Sequence, residues 1–345
     1  MTALEDIQVI APNFKRRLSG VTATVVRLVP IQARDIVIVA SGPVLPQDVP
    51  QIPLRALLTL PRNRLRVWHA RRNIEMIAGL ALKHLLRKRL KLLFTSASQR
   101  KQTGLTRWLI RRMDAVVATS DATATYLERP AHIIMHGIDL ESFTIPTDRA
   151  ASRARLGLPV SGILIGCYGR IRPSKGTDIF AEAMAALPPR LNAQAVIMGR
   201  ATAKDHTFQA SVKKQAAKSA HPERFHFLPE VPVQDMADWY RALDLYVAPQ
   251  RQEGFGLTPI EAMACGVPVI ATRVGAFEKI VTKDTGTLVQ AGDAAALSNA
   301  IAAALTPPAD IVGWAHNARP HVAENFSIAR EATALVALYR RLLEQ

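Results

Sequence analysis

Cysteine is nearly absent from this chain: Cys167 and Cys265 are its only two in 345 residues. Each lies within an apolar pattern and reads as a small buried hydrophobe, which excludes a disulfide framework or a cysteine-built metal centre. Long apolar runs are also missing, and nothing approaches the roughly 18 residues that a spanning helix needs. Met1 to Asp6 carries two acids where a secretory signal would place bases ahead of an apolar stretch, so the expected location is the cytosol. No cluster at metal-ligand spacing is visible, and neither a metal nor another cofactor is expected. No strand is followed by a G-x-G-x-x-G fingerprint. Aromatics make up 6% of the residues, few for stacking against nucleic acid.

Acidic residues are scarce as well, and unevenly so. The net charge is +16, and residues 1–150 hold 23 Lys and Arg against 11 Asp and Glu, or +12. The remaining residues hold 21 against 17, or +4. Such a surplus points to an anionic partner met by the first half: nucleic acid, an anionic membrane face or a phosphorylated glycolipid.

What is present is strand-helix alternation. Ile7–Ala11, Ile36–Ala40, Leu92–Phe94 and Ala115–Ala118 read as strands of one parallel sheet. Ile163–Cys167, Ala195–Met198, Leu245–Ala248 and Val269–Ala271 read as strands of a second. Helical patterns such as Phe180–Leu187 and Pro259–Cys265 lie between them. The class is α/β with doubly wound sheets, whose functional loops belong at the carboxyl ends of the strands. Pro146, Pro159 and the polar residues of Phe143–Val160 mark the expected boundary. The domains are therefore taken as 1–150 and 151–325, followed by a terminal helix, 326–345, around the periodic stretch Ala329–Leu343.

The densest chemistry lies between Pro249 and Thr272. Glu253 and Glu261 bracket a loop and helix start, where Gly254 and Gly256 allow close backbone approach and Pro259 suits a first helical turn. Amides at that start suit phosphate, whereas the carboxylates suit sugar or ribose hydroxyls. Upstream, Gly169 to Gly176 follows a strand and opens a helix. It is no Walker loop, since Ser174 stands where a glycine should precede Lys175. Arg170 and Lys175 instead supply two cations suited to a diphosphate.

Together these motifs resemble the retaining GT-B glycosyltransferases, the large group 1 family of mannosyl-, glucosyl- and related transferases. Matches run in order along nearly the whole chain: Gly20, His136 to Asp139, Gly169 to Gly176, Val196 to Arg200, and Glu253 to Glu261. The likeness implies two Rossmann-like domains, with the terminal helix returning to the first, and a nucleotide-sugar donor. It implies that Arg170 and Lys175 hold the donor diphosphate, helped by backbone around Gly254, Phe255, Gly256 and Leu257. Glu261 would bind ribose and Glu253 the transferred sugar, with Gly20 and Gly169 lining the donor site and Gly199 and Val231 beside the base. The nearest relatives by this reading are mannosyltransferases of lipopolysaccharide core assembly. They imply GDP-mannose as donor and an acidic lipid-linked acceptor containing Kdo.

Two departures stand out. His136-Gly137 replaces the family's Asn-Gly, and Phe94-Thr95-Ser96-Ala97 lacks a histidine that many relatives place after the fourth strand. His69 is the nearest replacement expected to line the cleft. The first domain would bind the acceptor, with Arg16, Arg17, Arg71, Arg72 and His136 facing it. Helical segments Ile77–Arg89 and Leu105–Met113 carry Lys83, Arg87, Lys88, Arg111 and Arg112. They suggest a protein resting peripherally on the anionic cytoplasmic face of the inner membrane. A nucleic-acid-binding protein and a sugar-nucleotide epimerase on the same fold are the competing readings. The first would explain the charge but not the motifs.

Overall fold

The computed structural model describes residues 3–15, 20–307 and 310–345. The chain forms two units, Met1–His136 with Ile328–Gln345, and Gly137–Ser327. The division lies ahead of Phe143–Val160 because residues 138–144 are tied to the second unit. Ile138 N–H donates to Phe326 O at 2.8 Å, and the Arg319 guanidinium donates to the carbonyls of Leu140, Phe143 and Ala264.

In the first unit the described strands are β1 (Val9–Pro12), β2 (Ile38–Ser41), β3 (Arg66–Ala70), β4 (Leu90–Ser96), β5 (Ala115–Ala118) and β6 (His132–Ile133). They pair in parallel in the order β2-β1-β3-β4-β5-β6. Most are buried on both faces, which is why they read as unbroken apolar runs. β3 does not, because Arg66 and His69 interrupt it. Arg66 is buried at a strand start by donating to the carbonyls of Leu4, Pro61 and Arg64.

The helix Ile328–Glu344 belongs to this unit. Its Leu335, Val336, Leu338, Tyr339 and Leu342 pack with Val9, Val25, Leu28, Ile38 and Val67 in one core. Each large aliphatic buried there contributes about 1.5–3 kcal/mol.

The basic helices are shorter than their charge pattern suggests. The first spans Asn73–His84, so Arg87 and Lys88 lie beyond it, Arg87 with φ 53°. Lys88 is not on a solvated face. It is buried, and its ammonium donates to Leu60 O. Lys83 pairs with Asp114 at 2.9 Å. The second helix spans Gly104–Ile110, leaving Arg111 and Arg112 in the turn that follows.

In the second unit β7 (Ile163–Tyr168), β8 (Ala193–Met198), β9 (Phe225–Leu228), β10 (Leu245–Ala248), β11 (Val269–Thr272) and β12 (Gly286–Val289) are again all parallel. Their order is β12-β11-β10-β7-β8-β9. The winding reverses between β7 and β10, and a crevice at such a reversal is where open α/β sheets take ligands. In the first unit the corresponding reversal lies between β1 and β3. Cys167 and Cys265 are both free and buried, and burial pushes each thiol up to about 12.

Candidate active site

The two motifs of the second unit occupy its reversal point. Gly169 to Gly176 follows β7, and Pro249 to Gly256 follows the neighbouring β10. Backbone N–H groups of Arg251 and Gln252 donate to Ser174 O at 3.0 and 3.2 Å. The loops approach so closely that a Cβ on Gly176, whose φ is 69°, would lie 1.9 Å from Pro249 O. Only glycine fits both the backbone angle and the space.

This approach brings the Lys175 ammonium onto the Glu253 carboxylate as an ion pair. The other carboxylate oxygen of Glu253 accepts from Gly254 N–H at 2.9 Å. Arg170 stands exposed at the end of β7. Gly256 takes φ 93° and precedes the helix Leu257–Ala264, and a Cβ there would meet the Phe277 ring at 2.1 Å. Phe255 is buried beside it, Leu257 opens the helix, and Pro259 falls in its first turn.

Glu261 lies farther along this helix and accepts from the Tyr240 hydroxyl at 2.9 Å. Tyr240 is fully buried. Burial and then the Glu261 charge push its phenol well above the usual value, so it remains a donor. Sequence reasoning missed it, because a tyrosine at helical spacing reads as core. Gly199 follows β8, and Val231 follows β9 after Pro229 and Glu230. A hollow of about 660 Å³ lies there, lined by Gly199, Arg200, His206, Phe227 and Glu230 among others. Ile171 N–H bonds to Arg200 O at 3.1 Å, which ties this edge to the Gly169 loop.

The first unit holds a second constellation. A cavity of about 60 Å³ lies at the carboxyl ends of β3, β4 and β5, lined by His69, Arg71, Thr95, His136 and Glu331 among others. It has room for a few waters or one small substituent. His69 does not present a free ring to it. The imidazole is 1% exposed, with Nδ1 2.7 Å from Tyr339 Oη and Nε2 2.6 Å from Thr95 Oγ1. Burial, helped by the neighbouring Arg71 charge, lowers its pKa well below the usual 6.5. The expected cleft-lining base is thus a neutral, doubly bonded strut, with Thr95 from the histidine-free segment as one partner.

Arg71 and Arg72 follow β3 but differ in kind. Arg71 lines the cavity and lies within 3.4 Å of His69 Nδ1. Arg72 instead turns inward, donating to Asn13 Oδ1 at 2.9 Å, Glu75 Oε1 at 2.8 Å and Thr22 Oγ1 at 3.1 Å. That network, with Glu75 fully buried, makes Arg72 part of the scaffold rather than of an acceptor surface. His136 lines the cavity and pairs with Glu331 at 2.8 Å. Arg16 and Arg17 lie outside the described residues. Gly20 opens the helix Gly20–Gln32.

Comparisons with known proteins identify the family and the fold. Residues 162–307 match the model of the glycosyl transferases group 1 family. The lipopolysaccharide core biosynthesis mannosyltransferase LpcC of Rhizobium leguminosarum bv. viciae is 50% identical, covering 99% of both chains. LpsB of Rhizobium meliloti, of the same description, is 47% identical over 99% of this chain and 100% of its own. Among solved structures, Anabaena HepE superposes with a TM-score of 0.83 at 17% identity, covering 97% of this chain and all of HepE, and so shares the GT-B fold. The chain belongs to the group 1 glycosyltransferases, among the lipopolysaccharide core mannosyltransferases, and is a glycosyltransferase.

Proposed function

We propose that this enzyme moves mannose from GDP-mannose, with retention of configuration, onto a Kdo-containing lipopolysaccharide-core acceptor. The observation that carries the reading is the meeting of Lys175 and Glu253 at the β7/β10 reversal, in a chain half identical to enzymes named for that pathway. A donor diphosphate arriving there would take Lys175 from Glu253. The ammonium and Arg170 would then stabilise the leaving phosphate, while the released carboxylate accepts from the sugar's hydroxyls. Glu261, oriented by Tyr240, suits ribose. The amides at the start of helix Leu257–Ala264 suit a phosphate, as helix N-termini do. The hollow beside Gly199 and the segment ending at Val231 suit the base. In this reading two side-chain cations do the work for which other transferases use a metal.

Arg71, at the small cavity of the first unit, suits an acidic group on the acceptor. The same unit carries the surface proposed to rest on the cytoplasmic face of an anionic membrane. Ile74, Ile77, Leu105 and Trp108 are exposed on its two basic helices, and the Arg112 guanidinium lies 3.7 Å over the Trp108 ring. Among the described residues no single helix is long and apolar enough to cross a membrane. Calorimetric titration with GDP, UDP and ADP and their mannose or glucose conjugates tests the donor. GDP-mannose should bind best, and preference for a uridine or adenosine donor would remove the mannosyl reading.

A further inference from the structure

We infer that Asp178 and Arg251 form a positioning pair that sets how Lys175 and Glu253 face the donor. The inference rests on the donor-site reading above and adds to it two residues that act through others. The Arg251 guanidinium grips Asp178 with both forks, Nη1 to Oδ1 and Nη2 to Oδ2, each at 2.8 Å. Nη1 also donates to Pro173 O at 2.7 Å, and the Arg251 backbone N–H donates to Ser174 O at 3.0 Å. One residue of the β10 loop thus holds the β7 loop at two carbonyls and the following helix at its first turn, where Asp178 sits. Lys175 lies in the stretch so gripped, and Glu253 follows Arg251 by two residues.

The chemistry of the pair suits alignment more than stability. Its side chains are 34% and 29% exposed, and ion pairs that open to water stabilise a fold little. A guanidinium stays charged at any working pH, and hydrogen bonding to Asp178 raises the Arg251 pKa further. A planar fork on a carboxylate fixes angle as well as distance, which a lysine ammonium cannot do. The Lys175–Glu253 contact alone cannot set this spacing, because the donor diphosphate would draw Lys175 away from it. Arg251 and Asp178 keep the two loops in register while that exchange occurs.

The test is a double-mutant cycle on the full-length protein, read as GDP affinity by calorimetry and as GDP release from GDP-mannose. Arg251→Ala, Arg251→Lys and Asp178→Asn should leave folding, followed by thermal melting, nearly unchanged. Each should lower turnover by about 10- to 100-fold, since small misplacements at a reacting centre cost that much. Lys175→Ala should then cost several-fold less in the Arg251→Ala background than in the wild type, because a misaligned ammonium has less to lose. Equal losses in both backgrounds, or wild-type turnover by folded Arg251→Ala, would overturn the positioning role while sparing the donor site. If Lys175→Ala costs nothing in the wild type, or the wild type binds no GDP, the donor reading fails and the positioning role falls with it.

Discussion

Lys175 and Glu253, 78 residues apart in the chain, share an ion pair at the carboxyl ends of adjacent strands. Neither side chain is deeply buried, with 23% and 17% exposure, so the pair is poised for exchange with a ligand. A diphosphate carries more negative charge than one carboxylate and offers several acceptors, so it can outcompete Glu253 for the ammonium.

Lys175→Ala and Arg170→Ala should each slow transfer, because negative charge grows on the leaving phosphate as the glycosidic bond breaks. Losing one such contact costs about 2–4 kcal/mol, or roughly 30- to 1,000-fold in rate. Steady-state kinetics of folded variants checks this, and wild-type turnover by either would mean that the phosphate sits elsewhere.

Glu261→Ala should act mainly on donor binding, since a ribose contact exists before and during reaction alike. Tyr240→Phe should act in the same direction and more weakly, because it removes only the hydroxyl that orients Glu261. A fall in kcat at unchanged donor KM in both variants would place this helix at the chemistry instead of the ribose.

Arg71 and Arg72 should separate cleanly. Arg71→Ala should raise the acceptor KM and leave the melting temperature near its wild-type value. Arg72→Ala takes the countercharge from the buried Glu75, leaving it the Arg71 N–H, and removes one donor each from Asn13 and Thr22. It should destabilise the first unit by about 3–5 kcal/mol. Denaturant melts beside acceptor titrations distinguish the two, and matching effects would refute the division of labour.

His69 makes stability depend on pH with a definite sign. Its folded pKa lies well below 6.5, so the native ring stays neutral while the unfolded ring protonates below that value. The unfolded state then binds more protons, and stability present above pH 6.5 is lost as the pH falls toward the folded value. His69→Gln should flatten the stability slope in that window by up to about 1.4 kcal/mol per pH unit. His132 and His226, also lowered by burial, should leave a residual slope. An unchanged slope would show that the ring is not held neutral.

Membrane docking should depend on Trp108, Leu105 and Arg112 and not on Lys88. Trp108→Ser with Arg112→Glu should abolish sedimentation with anionic vesicles while GDP affinity is kept. Binding by the wild type should weaken with salt, since the attraction is screened over about 8 Å at physiological ionic strength. Lys88→Glu is expected to destabilise the fold, because its ammonium is buried on Leu60 O. Sedimentation that survives the paired substitution, or a preference for RNA over vesicles at matched salt, removes the membrane surface.

Much of the architecture could be read along the chain because parallel strands buried on both faces are continuous apolar runs. β5 and β10 coincide with the stretches Ala115–Ala118 and Leu245–Ala248, and others differ by a few residues at their ends. β3, β6, β9 and β12 escaped, β3 because its Arg66 and His69 are buried through Leu4 O and Tyr339, far off in the sequence, which no local pattern records. Glycine spacing likewise marked the Gly169 and Gly254 loops, since a close backbone approach leaves few residue types to choose from.

The sequence by itself determined the class of the protein: two α/β units, two cations and one acid set in glycine-rich loops with a second acid on the helix behind, and a first half rich in positive charge. Those features are local, carried by periodicity, residue type and spacing. Which charges are available was decided only by tertiary structure. Arg71 and Arg72 are adjacent in sequence, yet one lines a cavity and the other is bonded into the scaffold. Lys88 reads as one more surface base and is buried, while His69 reads as a free base and is buried with both ring nitrogens bonded, to Tyr339 and Thr95. A side chain's charge and reach depend on what packs against it, and those neighbours come from elements that only the folded chain brings together.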